Sequence, residues 1–423
     1  MYFLIKAQIK CNSPLLQTKP PATMNTFRIK APHHIRFLPA IVAASALTLT
    51  SCGTESISEV KPENTHHTNS DKTLTPNGVK ALAGNYIIQL KNKDVSQKEL
   101  QNTALDILQK AGNSNKQISF GIQSFSAELS ASEAEKIKND PRVAIIEQDQ
   151  LLTMHSASEN SNPSTLSEVQ TTSWGVSRIG FADATASNRT AWIIDSGIQL
   201  DHPDLNVDVG RSKSFLKTST SPNDVFGHGT QVAGILAAKD NDLGVIGVAA
   251  GAQVVSLRVM DEKGIGSVSA VISALKHVSE HGKPGDVVNL SLGSSPSVTL
   301  DNAAIEVAKK GIFVVIAAGN IADNAANYSP ARVNHPNIFT VSAMRPDNTF
   351  YMGISNWGTP VDYCAPGSGL TSTRMNSSYG NAAGTSMAAP HVAGILLLKG
   401  RDFQTQGVVD NDPDNEPDPI PKL

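Results

Sequence analysis

From Trp174 onward the chain repeats one pattern: short apolar segments separated by helical ones. The segments are Ala191 to Asp195, Val254 to Val259, Val287 to Leu292, Ile312 to Ala317 and Ile338 to Ala343. Strands alternating with helices build an α/β domain on a mainly parallel sheet, because each helix carries the chain back to the same end of the sheet. At 423 residues there is room for two to three domains and a sizeable core. The net charge of -3 and 17% charged residues favour neither nucleic acid nor a membrane surface as partner. Cys11, Cys52 and Cys364 lie far apart, match no metal-ligand spacing and cannot form a disulfide framework. Stability has to come from the core.

The N-terminal region reads as an export signal. The apolar run Phe37 to Leu49 is too short to span a bilayer as a mature helix and follows Arg28, Lys30 and Arg36. Leu49-Thr50-Ser51-Cys52 then resembles a bacterial lipobox, which would make Cys52 the lipidated N-terminus of the exported chain. A plain signal peptide with an incidental cysteine is the alternative. Met24 makes a better-proportioned start than Met1. Residues 53–80 are rich in Ser, Thr, Asn and Lys without apolar periodicity, and read as a disordered tether.

Residues 81–152 form a compact unit. A strand at Tyr86 to Leu90 is followed by a helix through Leu100, Ala104, Leu105 and Leu108, then by strands around Phe120 to Leu129. Ser130-Ala131-Ser132-Glu133 is a capping box for a second helix ending before Asp140-Pro141, and Val143 to Glu147 is a last strand. The order is β-α-β-β-α-β, a ferredoxin-like α+β unit. A polar linker at 153–169 separates it from the α/β domain at 170–400.

Amide hydrolysis without a metal needs a nucleophile, a base, a group to orient the base, and donors for the oxyanion. Gly384-Thr385-Ser386-Met387-Ala388-Ala389-Pro390 places Ser386 at the start of the apolar helix Ala393 to Leu398, where free N–H groups favour developing negative charge. Taken alone, a serine there is more often an N-cap. Gly227-His228-Gly229-Thr230 presents a histidine between glycines, which permit close approach to the ring. Asp195 ends the strand Ala191-Trp192-Ile193-Ile194 before Ser196-Gly197, at the strand end that faces a ligand crevice in an α/β sheet. Ala317-Ala318-Gly319-Asn320 ends another strand with a short amide.

Together these segments resemble the subtilisin-like serine proteases, leaning to the proteinase K branch in Asn327 to Ala331 and Ser355 to Gly358. Asp, His, Ser is also the chain order of subtilisin. Residues 81–152 resemble that family's inhibitory propeptide, in Phe125 to Ser130 and Asp140 to Asp149. The resemblance implies a self-processing zymogen with a three-layer subtilisin-like domain. In it Ser386 is the nucleophile, His228 the base and Asp195 its orienting acid. Asn320 is the oxyanion donor beside the N–H of Ser386. Gly264-Ile265-Gly266 and Ser291-Leu292-Gly293 resemble the edges that bind substrate as an added strand, with an apolar pocket near the latter and Ala318-Gly319.

Calcium is the implied cofactor. The loop Asp240 to Gly247 resembles the family's calcium loop, with Gln170, Asp204 and Asn241 matching side-chain ligands and Lys239, Leu243 and Val245 matching carbonyl ligands. A second cation at Asp362, with the carbonyls of Pro336 and Ile338, follows the proteinase K branch. The implied partners are polypeptide substrates and the chain's own propeptide, with the membrane reached only through the lipid, and a monomer is expected. Gln231 departs from the family, where a second histidine is common, and Cys364 is expected to be a buried apolar filler. The acidic, proline-rich 401–423 reads as solvated coil. A non-catalytic binding module and a narrow maturation peptidase of the cell envelope stay open as alternatives.

Overall fold

The computed structural model describes residues 81–114, 117–154 and 169–423. The signal region, Cys52, the tether and residues 155–168 of the linker lie outside the described residues.

The propeptide unit has the expected order: β1 (Ala81–Leu90), α1 (Gln97–Ala111), β2 (Ser119–Gly121), β3 (Ser124–Glu128), α2 (Ala131–Lys138) and β4 (Val143–Thr153). Both helices open with capping boxes, Ser96 with Glu99 and Ser130 with Glu133, which satisfy two otherwise free N-terminal donors each. The α1 face that packs inward carries Leu100, Ala104, Ile107 and Leu108; Leu105, expected there, is 50% exposed. A stripe of 3.6-residue period can hold 104, 107 and 108 together but turns 105 outward. The strand expected to stop at Glu147 runs six residues further, to Thr153.

The α/β domain is a sheet of parallel strands. Its main members are β5 (Ala191–Asp195), α3 (His228–Ala237), β6 (Gln253–Arg258), β7 (Ile265–Ser267), α4 (Val268–His281), β8 (Val287–Leu290), α5 (Val298–Ala308), β9 (Phe313–Ala317), β10 (Ile338–Met344), β11 (Val361–Pro366) and α6 (Thr385–Lys399). The spatial order is β11-β10-β9-β8-β5-β6, with two-residue strands at Asn206–Val207 and Lys213–Ser214 outside β6. All these pairings are parallel. The five strands read from the sequence are present, whereas the edge strand β11 was not expected. Its alternation of half-buried and polar residues, Val361-Asp362-Tyr363, lacks the uniform apolar signal of a central strand.

Two apolar cores lie on the two faces of the sheet. α3 and α6 cover one, with Ile193, Val232, Leu236, Val315, Val392 and Leu396; α4 and α5 cover the other, with Trp192, Val255, Val271, Leu275, Leu300 and Ile316. Successive residues of β5 and β9 therefore feed opposite cores. Sequence order reverses at β5, since the chain goes from β5 to β6 on one side and from β6 back to β8 on the other. Such a switch point opens a crevice at the carboxyl ends of the strands. Asp195 stands there.

Residues 401–423 are not solvated coil. β12 (Gln404–Val408) and β13 (Pro419–Lys422) form a hairpin, and Val409 and Ile420 are buried with Val176, Ile179 and Cys364. The acidic and proline residues dominate the composition of the segment, but Val409, Ile420 and Leu423 supply an apolar anchor. Cys364 is a buried free thiol, as expected, and burial raises its pKa far above the ordinary value.

Candidate active site

Asp195 and His228 meet in a buried pair. His228 Nδ1 lies 2.9 Å from Asp195 Oδ1 and 3.0 Å from Oδ2. Asp195 is fully buried and also accepts from the N–H of Ser196 at 2.7 Å. Burial by itself would lower the His228 pKa, but the Asp195 carboxylate, its hydrogen bond and the more distant Asp224 outweigh it and leave the pKa above the ordinary value. That is the balance a base needs if its protonated form is to be stabilised as a proton arrives.

The approach depends on Gly229. A Cβ there would lie 2.0 Å from the carbonyl oxygen of Gly197 and 3.1 Å from Asp195 Oδ1. The sequence suggested that the glycines around His228 make room for substrate and Ser386; Gly229 instead makes room for the strand end carrying Asp195. Gly227, at φ 108°, begins α3 in a conformation that side chains resist.

Sequence reasoning missed Asp224. It is buried, and its Oδ1 accepts from Phe226 N–H, Gly227 N–H and Ser196 Oγ, while Oδ2 accepts from Thr230 N–H and Thr230 Oγ. One carboxylate thus caps the helix that carries His228 and fastens it to the residue after Asp195. An aspartate just before a helix of small residues was the available signal.

Ser386 is the second residue of α6, in the crevice and 8% exposed. Its hydroxyl donates to the Ser291 carbonyl at 3.3 Å, and Ser291 Oγ donates to the Ser386 carbonyl at 2.8 Å. Asn320 stands beside it. Asn320 Oδ1 accepts from Thr385 N–H at 2.8 Å and Thr385 Oγ at 2.9 Å, and its Nδ2 would meet a Cβ on Gly384 at 3.0 Å. With the oxygen so occupied, the amide N–H groups are the face of Asn320 left to donate. Asn356, quoted in the sequence only for branch likeness, orders this loop by donating to Ala318 O and accepting from Ile321 and Asp323 N–H.

Of the two segments expected as substrate edges, Gly264-Ile265-Gly266 is paired with the N-terminal unit. β7 pairs antiparallel with β4, with Ile265 opposite Thr153, Gly266 opposite Leu152 and Ser267 opposite Leu151. Met154 N–H then donates to Gly264 O at 2.9 Å. The chain's own propeptide strand therefore adds to the edge that the sequence marked for an added strand. The glycines of this edge answer to neighbours in the α/β domain: a Cβ on Gly266 would meet Val259 O at 2.4 Å, and one on Gly264 would meet Phe226 at 2.7 Å. Ser291, Leu292 and Gly293 directly follow β8, and Gly319 lies against Asn356.

Two further propeptide contacts carried no sequence signal. Glu147 accepts from Ser297 Oγ and Thr299 N–H at the start of α5, and Asp149 accepts from Ser269 N–H and Ser269 Oγ at the start of α4. Each carboxylate lies at the positive end of a helix dipole in the other domain.

The residues of the expected calcium loop fit a hard cation. Asp204 is fully buried; its Oδ2 accepts from Val245 N–H at 3.2 Å, while Oδ1 has no hydrogen-bond partner. Burial pushes this carboxyl up to about 6. The carbonyls of Lys239 and Val245 both accept from the Gln170 amide, at 2.8 and 3.5 Å, and the exposed Asn241 accepts at Oδ1 from Leu243 N–H at 3.0 Å. An orphaned carboxylate oxygen suits calcium. The second expected site bears no such mark: Asp362 is half-buried, its Oδ2 accepts from Thr340 N–H at 2.8 Å, and neither of its oxygens is both buried and unpartnered; Pro336 lies just before the strand that begins at Ile338.

Comparison with known proteins agrees with this geometry. Residues 190–404 match the model of the subtilase family, and residues 85–155 match that of peptidase inhibitor I9. The M-protease of Shouchella clausii (strain KSM-K16) is 37% identical over 283 residues, covering 66% of this chain and 69% of that protein. Subtilisin Savinase of Lederbergia lenta is 40% identical over 235 residues, covering 54% of this chain and 84% of that protein. The crystal structure of a cold adapted subtilisin-like serine proteinase aligns with a TM-score of 0.51 at 31% identity, over 58% of this chain and 96% of that one. With its β-α-β-β-α-β propeptide docked on a parallel-sheet domain, the chain belongs to the subtilase family of serine endopeptidases.

Proposed function

We propose that this protein is exported as a zymogen, cuts itself after the docked propeptide strand, and then hydrolyses peptide bonds in other proteins through Asp195, His228 and Ser386. The observation that carries this reading is the pairing of β4 with β7, which docks the propeptide strand, up to Met154, on the domain that holds the Asp195–His228 pair. In the reaction Ser386 Oγ attacks the scissile carbonyl carbon as His228 Nε2 takes its proton. Asp195 holds the Nδ1–H tautomer and stabilises the imidazolium. Asn320 Nδ2 and the Ser386 N–H donate to the oxyanion. The tetrahedral intermediate collapses, the C–N bond breaks, and His228 returns the proton to the leaving amine. Water, deprotonated by the same imidazole, then releases the acyl group and regenerates Ser386.

The domain boundaries fit this course: signal region 1–52, tether 53–80, propeptide from 81, processing linker, and catalytic domain with its C-terminal hairpin. Lipid on Cys52 would anchor the precursor, and cutting the linker would release the enzyme. Calcium at Gln170, Asp204, Asn241 and the carbonyls of Lys239, Leu243 and Val245 would cross-link that loop and stabilise the fold.

The test is precursor size and casein hydrolysis for the full chain and for Ser386→Ala, with a fluorophosphonate label. A wild type that shortens, labels and cleaves casein beside an inert, full-length mutant supports the reading. Two full-length, unlabelled proteins would favour a non-catalytic module instead.

A further inference from the structure

The loop between β12 and β13 holds an acidic cluster remote in sequence from the catalytic machinery. Residues 409–418 read Val-Asp-Asn-Asp-Pro-Asp-Asn-Glu-Pro-Asp, with an acidic side chain at every second position from Asp410 to Asp418. Asn411 and Asn415, at φ 60° and 63°, turn the loop back twice. It is tied down at several points: Phe350 N–H donates to Asp410 O at 2.8 Å, Asp410 N–H to Asn348 O at 3.0 Å, and Val409 N–H to Asp418 O at 3.0 Å. Ser342 Oγ, from β10, donates to Asp418 Oδ2 at 2.6 Å.

At its centre Asp412 is 9% exposed. Its Oδ2 accepts from Asp418 N–H at 3.3 Å, but its Oδ1 has no hydrogen-bond partner. The Asp414 side chain faces it at hydrogen-bonding range. Two carboxylates, each an acceptor when ionised, are thus directed at one another in a shielded loop. Among the described residues no Lys or Arg pairs with Asp412, Asp414 or Asp418. Glu416 N–H donates to Asp414 Oδ1 at 2.9 Å, so the unmet acceptor is Asp412 Oδ1; a buried carboxylate oxygen with neither donor nor countercharge is costly, and a second carboxylate beside it adds repulsion.

We propose that Asp412 and Asp414 bind a divalent cation, calcium, which supplies the missing countercharge and locks the C-terminal hairpin onto the sheet. No three acidic, imidazole or thiolate groups converge among the described residues, so the shell must be completed by loop carbonyls and water. An all-oxygen, irregular shell of that kind suits calcium, whereas magnesium demands a near-ideal octahedron. The site is separate from the loop around Asp204, and it does not depend on the catalytic reading.

The experiment uses the full chain carrying Ser386→Ala, so that self-cutting cannot intervene. Bound calcium is counted by native mass spectrometry, and the melting temperature is measured in millimolar calcium and in chelator. The variants are Asp412→Asn/Asp414→Asn and, as a control for the other loop, Asp204→Asn. The double variant should bind one calcium fewer than its parent. Its melting temperature should fall below the parent's in calcium and equal or exceed it in chelator, because the repulsion is gone. An unchanged calcium count, or a variant ranked the same way against the parent in both media, overturns the proposal. Should the double variant fail to fold, Asp414→Asn alone, at the less buried partner, carries the same two readouts.

Discussion

Ser291 and Ser386 hold each other by two hydrogen bonds, Ser291 Oγ to the Ser386 carbonyl at 2.8 Å and Ser386 Oγ to the Ser291 carbonyl at 3.3 Å. The first follows from Pro390, which lies inside α6 four residues after Ser386 and has no N–H to complete the helical ladder. The side chain of Ser291 supplies the donor that the proline lacks, and so joins the Ser386 backbone to the end of β8.

Ser291→Ala should leave the buried Ser386 carbonyl without a donor, at a cost of about 1–3 kcal/mol. Looser placement of the nucleophile should lower kcat/KM by about tenfold, on the rule that each 1.4 kcal/mol is a factor of ten. Ser291→Thr keeps the hydroxyl and should recover most of the loss. Steady-state kinetics on a peptide substrate and the rate of fluorophosphonate labelling read both changes.

Asn320→Leu should lower kcat by roughly 100- to 1000-fold with little change in KM, the range seen on removing one oxyanion donor. The Asp195–His228 pair does not contact Asn320, so the pH profile should keep its shape. A KM effect of similar size would show that Asn320 binds ground-state substrate.

The kcat/KM profile should rise with pH through the His228 pKa, since only neutral imidazole can accept the Ser386 proton. Asp195 places that midpoint above the ordinary histidine value. Asp195→Asn should move the midpoint to lower pH and cut kcat by about 10,000-fold through loss of the correct tautomer. A midpoint unmoved by the substitution would deny Asp195 its electrostatic part.

Glu147→Ala with Asp149→Ala strips both propeptide carboxylates from the starts of α5 and α4. Loss of a helix cap costs about 0.5–2 kcal/mol, so the pair should speed propeptide release by tenfold or more. The lag before casein hydrolysis by freshly processed full chain measures it. An unchanged lag would place the inhibitory grip in the β4–β7 pairing alone.

His391, fully buried in α6, donates from Nδ1–H to the Met387 carbonyl at 2.8 Å, while Nε2 has no partner. Burial pushes its pKa down to about 4, from 6.5 in the unfolded chain. A base depressed in the fold contributes stability that is present above pH 6.5 and lost as pH falls through 4. The loss amounts to about 3 kcal/mol. Denaturant titrations of the Ser386→Ala protein at pH 7 and pH 4, beside the same protein with His391→Asn, isolate this share.

The sequence alone determined the class of fold, and it singled out Asp195, His228, Asn320 and Ser386 as the candidates for its chemistry. Strings such as Ala191-Trp192-Ile193-Ile194 can be buried only between two helical layers, and a chain alternating them with helices has few other solutions. The residues around Ser386 and His228 are short, glycine-rich and local, so their chemistry shows in a few consecutive positions. What the sequence could not reveal is long-range pairing. Asp224 carries weight because it touches both Ser196 and Thr230, Ser291 because Pro390 leaves a carbonyl free 95 residues away, and Glu147 and Asp149 because two helices of another domain begin opposite them. The C-terminal segment shows the same division in reverse. Its composition is that of a solvated tail, yet Val409 and Ile420 find a vacant patch beside Val176 and Cys364 that exists only once the sheet has closed. Local pattern decides which elements form, whereas burial and hydrogen-bond partners across the fold decide which polar groups act.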